Sequence, residues 1–142
     1  SRLYRYRDDK FEQVTKDHSL LQEQIDSGLI TKEQAKGAAN KNLVTRALGI
    51  DPTVEPEIHE YETKVGDIYL ICSDGLCDMV SDEDIGMALQ TLGGNLKLCV
   101  HQLVQMANDN GGRDNVSVIL IRIVRDYPAP RGVLNKVFGW LR

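Results

Sequence analysis

The sequence has no surplus of basic residues. Its 17 Lys and Arg stand against 21 Asp and Glu, a formal net charge of −4 with histidine neutral. The clustered cations with which proteins neutralise nucleic-acid phosphates are therefore missing, and nucleic acid is excluded as a partner. A long hydrophobic run is missing too. The longest apolar stretch, Val116 to Ile121, is broken by Ser117 and falls far short of the ~18–20 residues of a spanning helix, so the expectation is a chain that does not enter a membrane. There are three cysteines, Cys72, Cys77 and Cys99. They are odd in number and lack C-x-x-C spacing, which argues against a zinc site or a redox pair. They read as reduced, mostly buried thiols, as suits a cytoplasmic protein. Also missing are a cysteine flanked by basic residues and a Ser, His, Asp arrangement of the kind that covalent catalysis needs. No internal repeat or low-complexity tract occurs.

What is present is the material of one globular domain: 142 residues, 42% hydrophobic and 27% charged, enough to bury a core. The first residue is Ser1 rather than Met, so the expectation is a fragment of a longer protein. Leu3 to Arg7 alternates, and Phe11 to Val14 resumes the pattern after Asp8-Asp9, which predicts a hairpin. Ser19-Leu20-Leu21-Gln22 and Thr31-Lys32-Glu33-Gln34 match the helix capping box and predict two short helices separated near Gly28. Glu57 to Glu62 and Asp67 to Cys72, on either side of Val65-Gly66, predict a second strand pair. Ser81-Asp82-Glu83-Asp84 opens a helix with Ile85, Ala88, Leu89 and Leu92 on one stripe. Leu96, Cys99, Val100, Leu103 and Ala107 mark another. Val116 to Val124 predicts a last strand. That strand and Ile68 to Cys72 are apolar on both faces, which predicts cover on both sides and sheets sandwiched by helices.

Two aspartates draw the chemistry. Asp74 follows the apolar run Ile68 to Cys72, with Gly75 placed to allow a tight turn. Asp114 stands at the mouth of the other doubly apolar strand, after the Gly111-Gly112 turn. Each has a bland reading as a loop residue accepting backbone amides. If the two strands are neighbours, however, their carboxylates converge, and a hard divalent cation such as Mg²⁺ or Mn²⁺ is the natural compensation for two close acids.

Five stretches in order make a family visible: Ser1-Arg2-Leu3-Tyr4-Arg5, Thr15-Lys16-Asp17-His18-Ser19, Val44-Thr45-Arg46-Ala47-Leu48-Gly49, Gly66-Asp67 with Cys72-Ser73-Asp74-Gly75-Leu76, and Gly112-Arg113-Asp114-Asn115-Val116. Together they resemble the metal-dependent protein phosphatases of type 2C, the PPM family, in their bacterial form. The resemblance implies an α+β fold, a four-layer αββα sandwich of which residues 1–125 would be the C-terminal part. It implies a protein serine/threonine phosphatase that hydrolyses phosphoserine and phosphothreonine by a metal-activated bridging water, opposing a serine/threonine kinase. It further implies two core Mn²⁺ or Mg²⁺ ions, with a third, weaker ion sharing the S-D-G aspartate. Asp74 and Asp114 match the family's metal ligands, Asn115 and Gly75 stand beside them in supporting positions, and Arg46 with Thr45 are candidates for substrate or flap contact.

The departures are as specific. The R-x-x-N-E-D and D-G-M-G-G motifs, which carry the bridging aspartate and the phosphate-binding arginine in the family, do not occur. Ala38 to Asn42 stands where many bacterial members carry H-P-x-R-N at the edge of a flap, here about residues 20–42. The isolated fragment is therefore expected to be inactive and to self-associate. The rival reading is a non-catalytic phosphatase-like binding module. His18 reads as a turn and helix-cap residue, His59 as a solvated strand residue and His101 as solvated on a helix. Asp78, Asp82, Glu83 and Asp84 read as acids favoured by a helix N-terminus. Residues 126–142 form a Pro-containing linker and an amphipathic tail expected to dock on protein rather than on a membrane surface.

Overall fold

The structure is a computed structural model that describes residues 1–35, 43–46, 49 and 52–127. Its elements in chain order are β1 (Arg2–Arg7), β2 (Lys10–Gln13), α1 (Leu20–Asp26), α2 (Lys32–Ala35), β3 (Ile68–Cys72), α3 (Asp74–Cys77), α4 (Asp82–Leu92), α5 (Leu96–Asp109) and β4 (Val118–Arg122). The strands form one sheet in the order β2-β1-β3-β4, antiparallel throughout. The hairpin turns at Asp8 and Asp9, both at positive φ (50° and 59°). Aspartate tolerates this region better than most residues and the geometry matches strand twist.

Register explains which side chains meet. Tyr4, Leu70 and Leu120 share one row, and Arg2, Cys72 and Val118 the next; these rows face the helices. Tyr4, Leu70 and Cys72 join Leu76, Ile85, Leu89, Cys99, Leu103 and Ala107 in one buried core, as the helical stripes predicted. Tyr4 also stacks on Phe11 with ring centroids 4.8 Å apart and donates its hydroxyl to Asp82 at 3.1 Å, tying β1 to the start of α4. Ser81 accepts the Asp84 amide at 3.1 Å. Thr31 and Gln34 form the full reciprocal capping box. At Ser19 only half of it forms, because the Gln22 side chain turns to Asp26 instead.

Three expectations need correction. Glu57 to Glu62 is not a strand: both edges of β3 are already taken, by β1 and β4, so an adjacent strand has no ladder to join, and the segment runs exposed. The last strand is shorter than the apolar pattern, ending at Arg122. Cover on both faces is also not what the described residues provide. Helices α4 and α5 pack on one side, while Ile71, Ile119 and Ile121 on the other are 39%, 56% and 43% exposed. The α+β class holds, but the described residues supply one sheet and one helical layer. The tail 131–142 lies outside them, as do residues 38–42.

A buried ion pair locks the turn into β3. Asp67, 2% exposed, accepts two hydrogen bonds from Arg7 at 2.7 and 2.6 Å and one from the Lys64 amide at 2.7 Å.

Candidate metal and substrate site

Strands β3 and β4 end side by side, and the residues just outside them are sewn together. The Ser73 amide donates to the Ser117 carbonyl at 3.1 Å. The Ser73 hydroxyl donates to the Asn115 carbonyl and accepts the Ser117 amide, each at 3.0 Å. Gly75 follows in α3, pressed so close to the other loop that a Cβ built there would lie 2.4 Å from the Asn115 carbonyl oxygen. No side chain fits that gap. The expected role of Gly75 in a tight turn is thus corrected: its φ is ordinary and it serves close approach. Leu76, fully buried, anchors α3 in the core.

The second loop is aimed by the end of α5. The Gly111 and Gly112 amides close back on Asn108 and Ala107 at 3.0 and 3.1 Å. Both glycines sit at positive φ, 124° and 50°, which lets the chain reverse toward β4. The Asn110 side chain donates to the Met79 carbonyl at 2.8 Å, fastening this turn to the segment after α3.

Asp74, the first residue of α3, and Asp114, on the loop before β4, are thereby brought to one end of the sheet, and both are exposed. Each uses one carboxylate oxygen to accept the next amide along the chain, Gly75 at 3.1 Å and Asn115 at 2.7 Å. Neither second oxygen has a hydrogen-bond partner among the described residues. As a donor set they are two hard carboxylates, suited to Mg²⁺ or Mn²⁺. Among the described residues no group of three or more His, Cys, Asp or Glu could hold a metal ion.

A bay of about 390 Å³ opens beside Asp74, lined also by Arg2, Lys16, His18, Arg46 and Cys77. Arg2 grips Asp17 with hydrogen bonds of 3.0 and 2.6 Å. Desolvation would raise the Asp17 carboxyl, but these bonds outweigh it and hold it below its ordinary value. Arg46 reaches Glu57 at 3.1 Å and the Glu55 carbonyl at 3.3 Å. Thr45 donates its amide to the His18 carbonyl at 2.9 Å, which places it behind Arg46. His18 is not the cap expected of it. Ser19 caps α1, and His18 Nε2 faces Glu57 at 3.1 Å. His59 is exposed outside any strand, 3.6 Å from Glu57, and His101 is exposed on α5. Asp82, Glu83 and Asp84 occupy the first turn of α4, as their helix-terminal reading expected, whereas Asp78, read the same way, sits instead at the C-terminal cap of α3.

The comparisons with known proteins bear on this geometry directly. The chain is 42% identical over 127 residues to the serine/threonine protein phosphatase PstP of Mycobacterium tuberculosis, across 89% of this chain and 24% of that protein. It superposes on the crystal structure of M. tuberculosis PstP/Ppp with a TM-score of 0.82 and 40% identity, covering 87% of this chain and 52% of that one. It also superposes on the PstP catalytic domain in complex with two manganese ions, with a TM-score of 0.74 and 42% identity over 87% and 50%. The chain is thus similar to a portion of these phosphatases, and likewise to the PPM Ser-Thr phosphatase MsPP of Mycobacterium smegmatis, with a TM-score of 0.77 and 39% identity over 87% of this chain and 52% of that one. No protein-family model matches it.

The chain spans about half the length of the PPM structures it matches, which accords with the single sheet and single helical layer. Within that portion, sequence reading missed the roles of one serine and of two ion pairs. Ser73 carried only its place in a PPM motif as a signal. The Arg2 to Asp17 and Arg7 to Asp67 pairs join residues far apart in the chain, and no local pattern announces them.

Proposed function

We propose that the protein to which this chain belongs is a Mn²⁺- or Mg²⁺-dependent protein serine/threonine phosphatase, acting on phosphoserine and phosphothreonine and so opposing a serine/threonine kinase. The observation that carries the reading is the placement of Asp74 and Asp114 on two loops fixed to each other by Ser73 and the Gly75 contact. Both carboxylates are exposed and each keeps one oxygen without a hydrogen-bond partner among the described residues, which leaves hard oxygen donors open to a cation. The PstP complex with two manganese ions supports the choice of ion.

In this reading Asp74 and Asp114 are metal ligands, and their remaining shell comes from water and from chain beyond this portion. When bound there, the ions supply Lewis acidity, activating water near neutral pH and offsetting charge on phosphoryl oxygens. The chain's own residues set the stage. Gly75 lets the two loops meet, Asn115 offers the carbonyl that Ser73 clasps, and Arg46, steadied by Glu57 at the rim of the bay, is positioned to meet a phosphopeptide with Thr45 behind it. Residues about 20–42 correspond in this reading to the flap, and α1 and α2 lie within its described part. Taken alone, the chain lacks ligands for catalysis and exposes one apolar sheet face, so we expect it to be inactive and to self-associate. The three thiols are free, in keeping with a cytoplasmic setting.

The test is substitution in the intact protein. Asp74→Asn or Asp114→Asn is expected to lower Mn²⁺-dependent hydrolysis of p-nitrophenyl phosphate by two orders of magnitude or so while circular dichroism stays unchanged. Full activity of either variant at subsaturating Mn²⁺ overturns the ligand assignment.

A further inference from the structure

We infer that Ser73 is a positioning residue that sets the separation of the two carboxylates, a role that rests on reading Asp74 and Asp114 as metal ligands. The argument is geometric. A strand end and the loop facing it are joined by ladder bonds only as far as the ladder runs, and here it stops at the Cys72 to Val118 pair. Beyond that point Asp74 and Asp114 would be free to splay. Ser73 prevents it by extending the pairing with its side chain. Its amide reaches Ser117 at 3.1 Å, and its hydroxyl both donates to Asn115 and accepts from Ser117, each at 3.0 Å.

The hydroxyl thus stands in for a missing backbone partner on both sides of residue 116. It bridges the residue after one aspartate to the residue before the other. Alanine cannot do this, because it has neither donor nor acceptor. Threonine can. The hydroxyl does not cap α3, since Ser73 makes no side-chain cap hydrogen bond there, so its bonds go entirely to the opposite loop. The Gly75 contact permits approach but supplies no attraction beyond van der Waals, and the Asn110 to Met79 bond fastens the turn four residues before Asp114, so the Ser73 bonds are the ones that act directly beside the two aspartates.

The experiment uses the intact protein and reads Mn²⁺ binding by electron paramagnetic resonance, alongside Mn²⁺-dependent hydrolysis of p-nitrophenyl phosphate. Ser73→Ala is expected to raise the half-saturating Mn²⁺ concentration by about tenfold, the scale on which partners that orient metal ligands act. The KM for substrate at saturating Mn²⁺ should change little, and Ser73→Thr should restore wild-type binding. A half-saturation equal to wild type in Ser73→Ala overturns the inference. So does a Ser73→Thr variant as weak as alanine. If Ser73→Ala loses its cooperative thermal melt, Ser73→Cys decides instead. Its weaker, longer hydrogen bond should give an intermediate shift, and wild-type binding in a folded Ser73→Cys protein overturns the role. A wild-type protein that binds Mn²⁺ and hydrolyses nothing sinks the phosphatase reading alone, because the binding series still decides for or against Ser73.

Discussion

Asp67 is the residue whose electrostatics are most sharply defined. Hydrogen bonds from Arg7 hold its carboxyl down to about 2 against the cost of burial, with the Lys64 amide adding to the effect. The folded pKa lies below the ordinary value, so the unfolded chain binds the extra proton between them. The stabilisation is therefore complete above the ordinary carboxylate pKa near 4 and is lost as pH falls toward 2. Calorimetry of the wild-type protein should show a melting temperature that drops across this window, and in Asp67→Asn the drop should be shallower from a lower starting point. An unchanged profile would remove the Arg7 pair from the account. Sequence reading found Asp67 only as half of a Gly66-Asp67 motif. It found Asp74 and Asp114 because each follows or precedes a strand that periodicity reveals. A carboxylate whose partner lies 60 positions away in the chain offers no such local mark.

At the scale of elements, the helices were legible because their signals are local. The Ser81 hydroxyl accepts the Asp84 amide and donates to the Asp84 carboxylate at 2.8 Å, so the S-x-x-D spacing states its own hydrogen bonds. Ser81→Ala should cost about 1 kcal/mol, and the melting temperature should fall by roughly 2–5 °C. Ser81→Asp should recover most of the loss. No shift with alanine, measured by circular dichroism, would mean that Asp82, Glu83 and the Tyr4 contact suffice to start α4. Strands were less legible. Glu57 to Glu62 has a plausible pattern, but whether a strand forms depends on a vacant edge, and β3 has none. Arg46 and His18 likewise meet through Glu57, which sits in that same irregular segment and could be placed only by the fold.

For the molecule as a whole, the two-faced apolar pattern of β3 and β4 asked for cover on both sides, and the described residues supply it on one. Periodicity cannot say which stretch of chain supplies it. In this portion Ile71, Ile119 and Ile121 remain open in adjacent rows, and apolar area of this kind favours association. The isolated 142-residue chain should elute with a light-scattering mass above its 15.9 kDa. Replacing Ile119 and Ile121 with lysine should shift it toward monomer. A wild-type chain that stays monomeric at high concentration would show that the open face is tolerated in water.

The gap above Gly75 has a meaning for heredity as well as for geometry. Any amino-acid substitution at this position adds a Cβ that collides with the Asn115 carbonyl, so the protein must displace α3 or the opposing loop, and each carries one of the two aspartates. Drift at position 75 therefore has no neutral route. A variant arising there would be felt first in the spacing of Asp74 and Asp114, even if the fold survived, and the same sequence could regain that spacing only by a matching retreat of the loop at 114 and 115.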